Sequence, residues 1–245
     1  MNDFILVIII SAIAAFLTVL GAFIAEKVDV PNRIISRALQ FAAGVLTALV
    51  AFSLMPPAVR SESSTLVIVG FFFGGACFVI MDYMASRKAA AQSAELAVVS
   101  TALYIGIIVD MAIDGVVIGL GSSLTLGTGL VLALSIAIST APLALVTIAM
   151  AKRSGQSLRF RRILMLIFTI ALMGGALLGF LVFRNQSLDV RLILIAVASG
   201  FLITTVTQSI IPEANRDGEP SLAALFFVGG LSLYALFTLI VKAPV

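Results

Sequence analysis

The chain has 245 residues, 61% of them hydrophobic and 11% charged, with a formal charge of +3, one cysteine and no histidine. A mean hydropathy of +1.21 is far above that of soluble domains and marks an integral membrane protein. The lone Cys77 excludes an internal disulfide, the absence of histidine excludes imidazole metal sites and His-based general bases, and the small charge gives no footing for nucleic acid.

Eight segments reach the roughly 20 apolar residues that a helix needs to span the hydrocarbon layer. They run from Phe4 to Ala25, Ile35 to Met55, Thr65 to Met84, Ala97 to Leu120, Gly129 to Ala151, Ile163 to Phe183, Leu192 to Ile211 and Ser221 to Val241. The first carries Asp3 and no Lys or Arg before a run too long for a signal peptide, so it reads as a retained helix. Eleven basic residues fall after the odd-numbered helices, five of them between Lys152 and Arg162, against four on the other side: Arg60, Arg184, Arg191 and Lys242. Basic residues stay with the cytoplasm, so both termini are expected outside. The Lys152 to Arg162 loop reads equally as an anionic-lipid patch, although topology suffices to explain it.

The fourth segment holds the chemistry. Asp110 and Asp114 are spaced i, i+4, which stacks them on one helix face about 6 Å apart along the axis. One Asp at the centre of a membrane helix costs roughly 2.5 to 3.5 kcal/mol on insertion scales, so the stripe must face protein, water or a cation. Intramembrane acids mark ion or proton paths; the alternative is a protonated pair hydrogen-bonded to neighbouring helices. At matching depth the antiparallel fifth segment offers Ser135, Ser139 and Thr140. Pro142 beside them frees the Ile138 carbonyl, either as a simple kink or as an unwound cation ligand.

The seventh segment adds a polar row of Thr204, Thr205, Thr207, Gln208 and Ser209, and the second adds Ser53. Taken singly, each hydroxyl is more often glue between helices than a ligand. Together they surround two acids with oxygen, a set suited to hard or borderline divalent cations, with zinc also bound by carboxylates. Met111 brings a thioether but lies ~100° round the helix from Asp110, which makes it packing first. The candidate metal site is therefore Asp110, Asp114, Ser139, Thr140, Ser135, Met111, Gln208 and Ser53, with no resident cofactor expected.

An internal repeat relates the second and seventh segments at an offset of 156: Gly44, Leu46, Val50, Ser53, Pro56, Ala58 and Arg60 fall on Gly200, Leu202, Val206, Ser209, Pro212, Ala214 and Arg216. The third and eighth match at 155, with Phe71-Phe72-Phe73-Gly74-Gly75 on Phe226-Phe227-Val228-Gly229-Gly230. The copies cross the membrane in opposite directions, as in many secondary transporters. One membrane domain of 1–245 follows: a first repeat over 1–85, a central helix pair over 97–151 and a second repeat over 163–245.

These residues resemble the ZIP (Zrt-, Irt-like protein) family of divalent-metal transporters. The resemblance rests on Gly44 with Leu54-Met55-Pro56, on Gly200 with Ile210-Ile211-Pro212-Glu213, and on Asp110-Met111-Ala112-Ile113-Asp114-Gly115 where the family has His-Asn-x-x-Glu-Gly. It implies an all-α bundle of eight transmembrane helices in a 3+2+3 inverted repeat, with metal ligands on the fourth and fifth. Departures are the loss of every histidine, and Ser139-Thr140-Ala141-Pro142-Leu143-Ala144 in place of His-Glu-x-Pro-Glu-Gly. The loop of Ser86 to Glu95 likewise holds none of the family's histidines.

The expected function is inward carriage of a divalent cation, zinc by family default or a harder ion by the oxygen set. The alternative is a ZIP-like protein that moves protons or another solute, or transports no metal. An intramembrane aspartyl protease is disfavoured because both acids sit on one helix, and such enzymes share a proton between acids of two helices; no enzyme activity is expected. The expected partners are the divalent ion and the lipid bilayer, with a homodimer as candidate assembly. The expected location is a bacterial inner (plasma) membrane.

Overall fold

The computed structural model describes residues 3–92, 99–216 and 220–241. These are helical almost throughout, with no strand among the described residues. The helices are α1 (Asp3–Lys27), α2 (Asn32–Val59), α3 (Ser64–Gln92), α4 (Val99–Leu124), α5 (Leu126–Arg153), α6 (Leu158–Phe183), α7 (Leu188–Asn215) and α8 (Pro220–Val241). The first seven are long and apolar enough to cross a membrane, and α8 contains a shorter apolar stretch, Ala223–Leu239. The protein is thus a membrane helix bundle. Ala97 and Lys242, used above to place a start and a side, lie outside the described residues.

Three boundaries differ from expectation for identifiable reasons. α3 continues past Met84 to Gln92, because alanine-rich sequence with Arg87 and Lys88 has high helix propensity even after apolarity ends. α2 and α7 do not stop at Pro56 and Pro212; each passes its proline by widening into a π turn, at Val50–Leu54 and Val206–Ile210. The Met55 amide reaches back to the Val50 carbonyl, and Ile211 to Val206. The wider turn makes room for a ring that would otherwise collide with the carbonyl four residues earlier. Finally, α5 stays helical through Pro142, with no unwinding.

Caps set the reversals. Thr125, the single residue between α4 and α5, accepts from the Thr128 amide at 3.0 Å, while Ser157 and Ser187 cap α6 and α7. So short a turn makes α4 and α5 antiparallel and adjacent.

The tightest pairings are α4 on α6, α1 on α5, α3 on α7 and α8 on α2. They divide the bundle into two groups, α1/α4/α5/α6 and α2/α3/α7/α8, which meet mainly where α2 crosses α5 and α7 crosses α4. Glycines let backbones touch inside each group. A Cβ on Gly44 would strike the Phe227 carbonyl and one on Gly200 the Phe71 carbonyl; Gly74 stands in the same relation to Val197, and Gly230 to Phe41. All four contacts keep the 156 spacing, so α3 and α8 correspond one residue away from the Phe-Phe-x-Gly-Gly match.

The α1–α2 and α5–α6 turns share one face. There Arg161 clamps the Glu26 carboxylate with two bonds of 2.8 Å, Lys152 reaches Asp29 at 2.6 Å, and Arg153 bonds Asn32 and the Val30 carbonyl. The hydrogen bond and charge of Lys152 hold the exposed Asp29 carboxyl below its usual range. Three of the five basic residues of this loop are therefore engaged within the chain. On the opposite face Arg191, at the start of α7, bonds the Ser123 carbonyl at the end of α4.

Candidate functional site

Asp110 and Asp114 face the interior of the bundle. Asp110 is 4% exposed and Asp114 is 0% exposed, among the most enclosed polar groups described. Gly115 and Gly119, C-terminal to them on α4, let that helix lie directly on the α6 backbone at Leu172 and Ala176. The acids are held by a rigid wall on one side and the other helices on the rest.

Across the group boundary Asp110 lies beside the Thr205 hydroxyl of α7, whose proton goes to the Phe201 carbonyl at 3.1 Å. Its Oδ1 and both oxygens of Asp114 have no hydrogen-bond partner. An enclosed polar oxygen left unpaired costs about 1 to 3 kcal/mol, and more when charged. Three such atoms on adjacent turns of one helix are a feature that packing alone would select against.

The α5 hydroxyls are deeply buried and already committed as donors. Ser135 donates to the Val131 carbonyl at 2.6 Å and Ser139 to Ile136 at 2.8 Å, while Thr140 meets Thr18 of α1 at 2.7 Å. A serine or threonine oxygen whose proton is engaged still offers lone pairs, so Ser135 and Ser139 present acceptors to a cation. Thr140 instead joins α5 to α1. Met111 is fully buried within the apolar core, in keeping with packing.

Gln208 is exposed, and with Ser209, Pro212, Glu213, Asn215 and Arg216 it lines a cleft of about 470 Å³. This cleft begins one turn beyond Thr205 on α7. Gln40 of α2 bonds Asn215 at 2.9 Å beside it. Ser53 is half-buried and pairs with Tyr234 of α8 at 2.6 Å. Thr205, Thr18 and Tyr234 were not among the candidate residues; only Thr205 left a trace in sequence, as part of the polar row on the seventh segment.

The arrangement is a buried pair of carboxyls with three unpartnered oxygens, the donor type that hard cations take. Among the described residues no cluster of three or more Asp, Glu, Cys and His forms. No protein-family profile matches the chain, and no curated protein matches it by sequence.

Proposed function

We propose that the chain is a ZIP-like carrier that moves a divalent cation toward the cytoplasm, with Asp110 and Asp114 as its anionic seat. The observation that carries this reading is the trio of unpartnered carboxylate oxygens buried at 4% and 0% exposure between α4 and its neighbours. Buried oxygens that no group of the protein satisfies are where a visiting cation would be held. Ser135 and Ser139 supply neutral oxygens, and Thr205 orients Asp110.

The same reading takes α8 as an eighth span and the fold as a 3+2+3 inverted repeat. Support comes from the paired π turns and the four glycine contacts, all 156 residues apart. The four tightest helix pairings also exchange under that operation: α4–α6 with α5–α1, and α3–α7 with α8–α2. A seat at the junction of two such halves, with a cleft one turn beyond Thr205, suits alternating access. The chain resides in a bacterial inner membrane with both termini outside, as the basic loops imply.

A thermal-shift series with zinc, cadmium, manganese and magnesium tests the reading. The all-oxygen seat predicts stabilisation by manganese or magnesium as well as zinc; no response to any of the four sinks the carrier. A second reading, a ZIP-like protein that moves protons or another solute or no metal, is favoured by the presence of only two carboxylates in the seat. Uptake into proteoliposomes separates the two, since a cation carrier loses flux with either Asp110→Asn or Asp114→Asn.

A further inference from the structure

Of the five basic residues between Lys152 and Arg162, the chain itself uses three. Arg161 grips Glu26 with two bonds of 2.8 Å, Lys152 reaches Asp29 at 2.6 Å, and Arg153 bonds Asn32 and the Val30 carbonyl. The other two, Arg159 and Arg162, are exposed and make neither a hydrogen bond nor an ion pair among the described residues. Membrane topology accounts for basic residues on this side of the bundle. It does not dictate where on a helix they stand.

Arg159 and Arg162 begin a stripe of α6 that continues through Leu166 and Ile170, since steps of three and four residues stay on one helix face. Leu166 is 59% and Ile170 60% exposed, so two guanidinium groups stand at the end of an apolar track open to lipid. α1 packs against α6 and ends the same way. Its exposed Phe16, Leu20 and Phe23 lead, again in steps of three and four, to the exposed Lys27, whose ammonium lies 5.6 Å from the centre of the Phe23 ring. The bidentate pair of Glu26 and Arg161 joins the end of α1 to the start of α6, which sets Lys27 near the two free arginines. Arg161 neutralises Glu26, so the junction keeps the charges of Lys27, Arg159 and Arg162 uncompensated.

A phospholipid has the matching profile, with a negative phosphate ester at the interface and hydrocarbon beneath it. We infer that the junction of α1 and α6 binds an anionic phospholipid, its headgroup phosphate held by Arg159, Arg162 and Lys27 and an acyl chain lying along the Leu166 and Ile170 stripe. The guanidinium forks match phosphate oxygens, and the arginine stems lie on the apolar track while their heads stay in the interface. Each basic side chain close to the membrane surface favours an anionic lipid by about fivefold, so the two arginines together supply roughly thirtyfold.

The test uses the full chain in phosphatidylcholine nanodiscs that hold phosphatidylglycerol as a minority lipid, with the lipids retained after release read by native mass spectrometry. The parent should keep phosphatidylglycerol in preference to phosphatidylcholine. Arg159→Gln combined with Arg162→Gln should cut that preference by roughly tenfold or more. Arg60→Gln combined with Arg184→Gln, at exposed arginines on the opposite face, should leave it intact. Lys27→Gln should give a smaller loss and reads the same site should the double variant not stay monodisperse. No preference in the parent, or equal losses in the two double variants, overturns the site. Displacement of the lipid by millimolar inorganic phosphate would mark a bare anion site and overturn it as well. No readout involves a divalent cation, so the lipid site and the carrier stand or fall separately.

Discussion

Thr205 on α7 lies beside Asp110 on α4, a carboxyl whose Oδ1 has no hydrogen-bond partner. The seat thus draws on both helix groups, and its geometry depends on how they sit together. Thr205→Val keeps the shape and removes the hydroxyl. It should weaken the cation-dependent thermal shift by about tenfold in apparent Kd, or ~1.4 kcal/mol. Thr204→Val removes a hydroxyl that bonds only the Gly200 carbonyl, at 2.8 Å, and should leave the shift intact. Titrating both variants with manganese decides it: equal losses would mean that Asp110 does not depend on Thr205.

The unpaired oxygens set stability against function. Asp110→Asn and Asp114→Asn each replace a buried carboxyl that has unpartnered oxygens by an amide that brings two donors. Each variant should melt higher than the parent without metal, by on the order of 1 to 3 kcal/mol, because buried oxygens that nothing satisfies are lost. Both should lose the stabilisation that metal gives the parent. A lower melting point in metal-free buffer would show that the carboxylates are structural.

The helix plan was legible in sequence because the length of an apolar run is a property summed over some twenty residues, which no single contact overturns. The site was legible only in depth. Counting residues placed Asp110 and Asp114 level with the α5 hydroxyls, but rotation about a helix axis depends on every turn before it. The π turn at Val206–Ile210 inserts a residue and swings the following side chains by about 100°. Thr205 precedes the turn and faces in, and Gln208 within it faces the cleft. Pro142 misled for a similar reason: the rule counts one lost hydrogen bond, whereas Gly21 seats α1 directly on the Ala141 carbonyl and Thr18 pairs with Thr140. α5 stays helical there, where local rules allow an unwound turn. Tyr234 left no sequence trace, since one hydroxyl in an apolar run acquires meaning only from its partner, Ser53.

Neighbouring glycines in α8 should respond oppositely to the same change. A Cβ on Gly230 meets the Phe41 carbonyl, whereas one on Gly229 meets nothing within 4 Å. Gly230→Ala should destabilise by about 1 to 3 kcal/mol through enforced separation of α8 from α2. Gly229→Ala should gain about 0.5 to 1 kcal/mol from helix propensity. Gly74→Ala, at the corresponding place on α3, should match Gly230→Ala in sign and rough size. Thermal unfolding in one detergent ranks all three, and a Gly74 effect resembling that of Gly229 would break the correspondence at 156.

The ion pair of Asp29 and Lys152 gives a pH dependence of known sign. The Asp29 carboxyl is held below its usual value by the hydrogen bond from Lys152 and by that residue's charge. A carboxyl lowered by folding contributes stability above its unfolded pKa, which is about 4, and loses that contribution as pH falls through the lower folded value. Asp29→Asn should therefore melt below the parent at pH 7, and the gap should close as pH drops below about 4. The gap is small, because the Asp29 side chain is 94% exposed and salt screens such pairs. Raising ionic strength at pH 7 should narrow it in the same way. A gap that widens on acidification would mean that Asp29 acts through something other than Lys152.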